Sequence, residues 1–229
     1  MNCFTLNCGP YRAQVISPKD GPLRPVIYLH DAQPAPERVR SLLTSRLTLV
    51  SVSGLDWYRD MTPWPADRVF PDGQDYQGGA QAYLEVLTGE LIPRVEEALG
   101  FVPQERGLAG YSLAGMFSLW ACYRTDMFSL CGSMSGSLWY DGFQRFLERE
   151  TPLRLPRRLY LSLGSKEKLC RSPQVSRVEE ITLATAARFR DLGAEVCWQP
   201  QPGGHTAQVD KRIAQGLSWL ARPDTTEEE

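Results

Sequence analysis

The sequence predicts an α/β fold: a mostly parallel central sheet with helices on both of its faces. Three observations predict it. Strand-like and helix-like segments alternate along the chain, several strand segments are continuously apolar, and no interdomain linker or repeat interrupts them. Parallel neighbours need crossover connections, and the intervening helices supply them. The 229 residues suit one such core, with 1–222 read as a single domain and 223–229 as a frayed acidic tail.

Residues 3–6 and 11–16 are β-forming segments around the turn pair Gly9-Pro10, which reads as an antiparallel hairpin. After a turn over 18–25, Val26-Ile27-Tyr28-Leu29 is a continuous apolar run, the pattern of a strand buried on both faces. Residues 37–43 read as a short helix and 47–52 as the next strand, ended by Gly54. Residues 55–78 place Trp57, Tyr58, Trp64, Phe70 and Tyr76 among prolines and glycines with little periodicity. A long ordered loop is expected there, and such loops on a rigid sheet tend to shape sites. Apolar residues at three- and four-residue steps from Ala80 to Leu99 predict an amphipathic helix, kinked near Pro93 and ended by Gly100.

Residues 107–109 read as a short buried strand, 113–122 as an apolar helix, 130–134 as a small-residue strand, 143–150 as a helix and 158–163 as a clear strand. Residues 178–192 form a helix closed by Gly193, and 194–199 the last strand. The last helix spans 208–220, with Val209, Ile213, Leu217 and Leu220 on one face.

Composition narrows the function classes. Apolar residues make up 42% and charged residues 23%, ordinary globular usage that excludes a disordered chain. The 25 basic and 27 acidic residues nearly cancel and are interspersed, so no basic stripe exists for phosphates or anionic lipid. Neither nucleic acid nor membrane is expected as a partner, while self-association into a homo-oligomer is left open. Cys3, Cys8, Cys122, Cys131, Cys170 and Cys197 show no CxxC or zinc-type spacing and read as free thiols. Residues 1–25 lack the basic start and apolar run of a signal peptide, and no stretch approaches the roughly 20 apolar residues of a membrane span. A reducing cytoplasm fits these features.

The strongest chemical motif is Gly110-Tyr111-Ser112-Leu113-Ala114-Gly115, between a strand and an apolar helix. It matches a nucleophile elbow, in which the serine stands on a sharp strand-to-helix turn that only small neighbours permit. Ala114 stands where the second glycine of G-x-S-x-G usually sits. The alternative is a tight turn with a capping serine. A serine hydroxyl needs a base, and the chain holds two histidines. His30 ends a buried strand before Ser112 and reads as a hydrogen-bonded structural residue. His205 follows the last strand, where an α/β-hydrolase fold carries its base; taken alone, a surface-loop histidine is usually inert.

The acid that orients such a histidine belongs after a strand between serine and histidine. Glu167, in Gly164-Ser165-Lys166-Glu167, has that place, whereas Glu179 and Glu180 read as exposed helix residues. The alternative for Glu167 is a solvated charge beside Lys166 and Lys168. An oxyanion hole needs the N–H of the residue after the serine, Leu113, and one from the loop after the early buried strand. Gln33, after small Ala32, is the candidate; an ordinary turn begun by Asp31 is the competing reading.

These residues carry a family resemblance. The chain resembles the esterase family of α/β-hydrolases that includes esterase D, siderophore trilactone hydrolases and the antigen 85 mycolyltransferases. The matching pieces span nearly the whole chain: Tyr28-Leu29-His30-Asp31-Ala32-Gln33, Arg59-Asp60-Met61-Thr62-Pro63-Trp64-Pro65, Gly78-Gly79-Ala80, the Ser112 elbow, Ser133-Met134-Ser135-Gly136-Ser137-Leu138-Trp139, Leu161-Ser162-Leu163-Gly164 with Glu167, and Gly203-Gly204-His205. The resemblance implies Ser112, Glu167 and His205 as a catalytic triad, with Leu113 and Gln33 as oxyanion donors. Two departures matter. Ala32 replaces a common glycine, and Ser165 replaces an acidic residue, leaving Glu167 as the sole acid there.

The expected reaction is hydrolysis of a small carboxylic ester through an acyl-enzyme, without metal or organic cofactor. Arg59 and Trp139 are expected at the substrate, and a siderophore trilactone, whose catecholate or ferric forms would favour Arg59 or Arg68, is the leading specific ester. The aromatics of 55–76 would then wall the site, unless they simply pack the loop. The rivals are an acyltransferase or peptidase with the same triad and a non-catalytic binding protein on the same fold.

Overall fold

Alternation along single strands shows how the sheet is covered. In β3 (Val26–His30), Val26 and Tyr28 pack into one apolar layer and Ile27 and Leu29 into the other. Successive side chains of a strand point to opposite faces, so a continuous apolar run means cover on both. The computed structural model describes residues 2–18 and 24–224. The expected tail falls mostly on 225–229, outside the described residues.

In chain order the strands and helices are β1 (Asn2–Cys8), β2 (Tyr11–Ser17), β3, α1 (Pro36–Ser41), β4 (Thr48–Ser53), α2 (Trp57–Asp60), β5 (Pro65–Ala66), β6 (Tyr76–Gln77), α3 (Ala80–Val86), α4 (Ile92–Leu99), β7 (Arg106–Tyr111), α5 (Leu113–Ala121), β8 (Leu130–Met134), α6 (Phe143–Arg149), β9 (Arg158–Gly164), α7 (Pro173–Ser176), α8 (Val178–Asp191), β10 (Glu195–Gln201) and α9 (Val209–Leu220). The main sheet runs β1-β2-β4-β3-β7-β8-β9-β10, with β5 and β6 forming a separate ribbon. The β1/β2 hairpin and the β2/β4 pair are antiparallel and every later pair is parallel, as the alternation of elements requires. The fold is that of an α/β-hydrolase.

Helices α1 and α9 cover one face through Val39, Ile213, Leu217 and Leu220. Helices α3, α4, α5, α6 and α8 cover the other. Each fully buried Leu or Ile of this kind contributes about 1.5–3 kcal/mol relative to an exposed one. Among the described residues no helix is long and apolar enough to cross a membrane.

Two stretches differ from expectation. Residues 55–78 are not one irregular loop: α2 starts where the Asp56 side chain accepts from the Arg59 N–H, and β5 pairs with β6. Elements of two to four residues are too short to show a period. The helix over 80–99 is divided by a π-turn, Leu87–Leu91, in which the Ile92 N–H bonds the Leu87 carbonyl five residues back. Pro93 has no N–H to give a carbonyl four residues back, and the wider turn just before it absorbs the defect that reads as a kink in sequence.

Candidate active site

Strand β7 delivers the nucleophile candidate. Ser112 follows its last residue at φ 62°, ψ −124°, a conformation side-chain-bearing residues rarely adopt, immediately before α5 begins at Leu113. The turn is held from both sides: the Ser112 N–H donates to the Met134 carbonyl at 3.1 Å, and the Ser137 N–H donates to the Ser112 carbonyl at 3.0 Å. A Cβ on Gly110 would lie 2.4 Å from the Ala114 carbonyl group and 2.6 Å from the Ala114 Cβ. The gap therefore holds one methyl group, and here Ala114 supplies it. That is why alanine is tolerated at the second glycine position of the motif while Gly110 is not free to change.

The other two candidates come from loops after β9 and β10. Glu167 opens a 3-10 turn, Glu167–Leu169, and its side chain is 6% exposed. His205 lies beyond Gly203 and Gly204 with its side chain 43% exposed, so the imidazole faces solvent while its acid partner does not. The two loops close on Gly164, where a Cβ would stand 2.6 Å from the Gly203 carbonyl oxygen and 2.8 Å from Glu167 Oε1. Only glycine allows that approach.

The structure brings Ser112, His205 and Glu167 into one line. Ser112 Oγ is 3.1 Å from His205 Nε2, and His205 Nδ1 is 2.7 Å from Glu167 Oε2. With the carboxylate accepting, Nδ1 carries the hydrogen and Nε2 is left free to accept from the serine. Glu167 Oε1 accepts from the Gly164 N–H at 2.7 Å, the Ser135 hydroxyl at 2.8 Å and Arg212 Nη1 at 3.4 Å. Burial pushes the Glu167 carboxyl up, but the hydrogen bond and charge of His205, helped by the Gly164 N–H and the Ser135 hydroxyl, outweigh it, and the group ends below the usual carboxylate range. Glu179, by contrast, pairs with Lys168 at the surface, and Glu180 with Arg177.

Of the candidate oxyanion donors, Leu113 is the first residue of α5, so its N–H has no carbonyl four residues back to bond; the N–H groups of Gly115 and Met116 already take the Ser112 carbonyl. Gln33 lines the cleft beside Ser112 and Tyr111. The N–H groups of Gln33 and Ala32 also face the Asp31 carboxylate, whose pKa burial raises and these two groups lower.

Ser112 stands between two clefts of about 420 Å³ each. One is lined by Phe70, Trp139, Leu169 and Val175, with Lys166 at its margin. The other is lined by Asp31, Gln33, Arg38, Trp57 and Asp210. Trp139 meets Phe70 edge-on at 5.9 Å. Tyr58 instead packs against Tyr76, Tyr76 meets Tyr140 edge-on, and Trp64 packs against Tyr140, Phe143 and Phe146, so these aromatics fill the loop. Arg59, expected at the substrate, has its side chain half exposed. It lines neither cleft; its Nε donates to Asp60 Oδ1 at 2.8 Å and its stem packs on Gly79. The Asp60 side chain is 2% exposed, and a buried carboxylate needs a cation beside it. Arg68 lines neither cleft either.

Sequence reasoning missed Arg212, Tyr111 and Ser135. Arg212 is 1% exposed and donates to Tyr111, Ser135, Glu167 and the carbonyls of Pro202 and Gly204. The available signal was its spacing: three residues after Val209 and four before Gly216, it puts a charge on the apolar stripe of the last helix.

A family model described as "Putative esterase" matches residues 9–208. "Uncharacterized protein YbbA" of Bacillus subtilis (strain 168) is 30% identical over 212 residues, covering 86% of this chain and 85% of that protein. Among solved structures, an IroE-like serine hydrolase from Shewanella oneidensis aligns with a TM-score of 0.77 at 19% identity, over 97% of this chain and 81% of its own. Siderophore hydrolase EstB from Aspergillus nidulans aligns with a TM-score of 0.69 at 20% identity, over 96% and 94%. The enterobactin hydrolase IroE in complex with DFP gives 0.69 at 22%, again over 96% and 94%.

Proposed function

Because the chain belongs to this esterase family and is a carboxylic ester hydrolase, we propose that Ser112, His205 and Glu167 carry its reaction through an acyl-enzyme. The observation that supports this most is the continuous line of hydrogen bonds, 3.1 Å from Ser112 to His205 and 2.7 Å from His205 to Glu167. His205 Nε2 takes the proton as Ser112 Oγ attacks the ester carbonyl carbon. The oxygen of the tetrahedral adduct gains the negative charge, and the N–H groups of Leu113 and Gln33 are the donors we assign to it. Collapse breaks the bond to the alcohol oxygen, which leaves with the proton from His205. Water then attacks the acyl-enzyme with His205 again as base, releasing acid and free Ser112. Glu167 stays ionised throughout, holding the imidazole tautomer and stabilising the imidazolium.

This route needs no metal or organic cofactor, since the side chains named move every proton. The apolar cleft of Phe70, Trp139, Leu169 and Val175 suits an aryl or acyl group. The names of two structural neighbours, a siderophore hydrolase and an enterobactin hydrolase, favour a trilactone-like small ester. Its anionic groups would meet Lys166 or Arg38, not Arg59. A reducing cytoplasm, with neither nucleic acid nor membrane as partner, remains part of the same reading, supported by the unpaired cysteines and the balanced charge.

The test is turnover of short p-nitrophenyl esters by Ser112→Ala. We expect a loss of at least about 10⁴-fold in kcat; wild-type turnover would end the assignment. For the substrate, a trilactone turned over no better than a simple butyrate ester would count against the specific choice.

A further inference from the structure

We propose that Arg212 is a positioning residue for this reaction: one buried guanidinium that sets the His205 loop and the Glu167 carboxylate together, and through them the line to Ser112. The inference rests on the Ser112, His205 and Glu167 reading of the site. Arg212 lies in the first turn of α9 and lines neither cleft, so it cannot touch substrate. Its two terminal nitrogens divide the work. Nη2 donates to the carbonyls of Pro202 and Gly204 at 2.9 Å each, gripping the loop on both sides of Gly203 and next to His205. Nη1 donates to the Tyr111 hydroxyl at 3.0 Å, the Ser135 hydroxyl at 3.1 Å and Glu167 Oε1 at 3.4 Å.

A guanidinium has donors only. Both hydroxyls must therefore accept from Arg212, which frees their own hydrogens in one direction each: Tyr111 donates to the His205 carbonyl at 2.5 Å, and Ser135 donates to Glu167 Oε1 at 2.8 Å. Ser135 is held at φ 47° to reach this point. A single side chain thus ties together the ends of β7, β8, β9 and β10, the four strands whose following loops build the site. Glu167 is the one carboxylate within 4.0 Å of it among the described residues. A buried guanidinium needs a compensating carboxylate, and the one it has is the carboxylate that also holds His205.

The arrangement has a readout beyond stability. The Glu167 and His205 pair is net neutral when the imidazole is protonated and net anionic when it acts as base. A cation beside the pair favours the anionic, active form, so removing it moves the acid limb of the kcat profile to higher pH. The other charged or titratable groups around the pair, Lys166, Asp31, Asp210, Arg38 and Tyr111, stay unchanged in the variants.

The experiment measures kcat, KM and Tm of the full chain with p-nitrophenyl butyrate across pH for wild type, Arg212→Met and Arg212→Lys. We expect Arg212→Met to lose about 10–100-fold in kcat with KM within about twofold, and its acid limb to rise. Arg212→Lys keeps the charge but not the fork: its acid limb should return to the wild-type position while kcat stays reduced. Wild-type kcat in a folded Met variant, or a limb that does not move, overturns the proposal. If Arg212→Met fails to fold, Arg212→Lys is compared in the wild-type and Glu167→Gln backgrounds: an effect that shrinks in the second supports action through Glu167, and an undiminished one overturns it. Ser112→Ala separates the two readings, because activity there removes the reaction itself, whereas an inactive Ser112→Ala beside a wild-type-like Arg212→Met removes only the clamp.

Discussion

His30 ends β3 with none of its surface exposed and its Nε2 2.6 Å from the Tyr83 hydroxyl, whereas the side chain of His205 is 43% exposed beside Ser112. The same residue type serves packing in one place and, in the proposed mechanism, proton transfer in the other. Scarcity made this legible: with two histidines and a fixed chain order, only His205 could follow the last strand. Glu167 was legible because it alone among the intervening carboxylates directly follows a strand. Arg212 was not, since an arginine in a surface helix normally points to water, and nothing local says that five acceptors converge on it. Burial lowers the His30 pKa to about 3, with nearby backbone groups of Ala109 and Tyr28 offsetting only part of that. The unfolded chain protonates His30 near 6.5. Its contribution is therefore complete above that pH and is lost progressively as pH falls toward 3. Urea unfolding between pH 6.5 and 4 should show wild type losing about 2–3 kcal/mol more than His30→Gln; parallel pH dependences would contradict this.

At the scale of elements, the turn from β7 into α5 carries the clearest constraint. The motif was visible because glycine and alanine recur where backbone meets backbone, and the structure shows why one of each is enough: the Gly110 and Ala114 positions share space for a single methyl group. Gly110→Ala should cost about 1–3 kcal/mol by overpacking and displace Ser112, so Tm and kcat fall together. Ala114→Gly, which restores the commoner pattern, should lose only about 1 kcal/mol of helix propensity and keep kcat. Thermal unfolding alongside kinetics checks both; a Gly110→Ala enzyme with wild-type kcat would show that the turn has room the geometry denies. The elements that escaped sequence reading are those with no period to read: α2 and α7 of four residues each, the β5/β6 ribbon, and the π-turn ahead of Pro93.

Across the whole molecule, the parallel order β3-β7-β8-β9-β10 collects the loop ends at one edge of the sheet. Gln33 follows β3, Ser112 follows β7, Ser135 follows β8, Glu167 follows β9 and His205 follows β10. Ligands of open α/β sheets bind at this end, and residues 93 positions apart in the chain, Ser112 and His205, meet there at 3.1 Å. Strand order is a long-range property, so the sequence could announce alternation and a parallel sheet but not which loops become neighbours. The account as a whole turns on whether Ser112 is the activated nucleophile of this fold. Labelling with a fluorophosphonate, followed by peptide mapping in the mass spectrometer, tests that directly. The expected result is one adduct, on Ser112, strongly diminished in His205→Ala; an unlabelled Ser112, or an adduct on another serine, would contradict it.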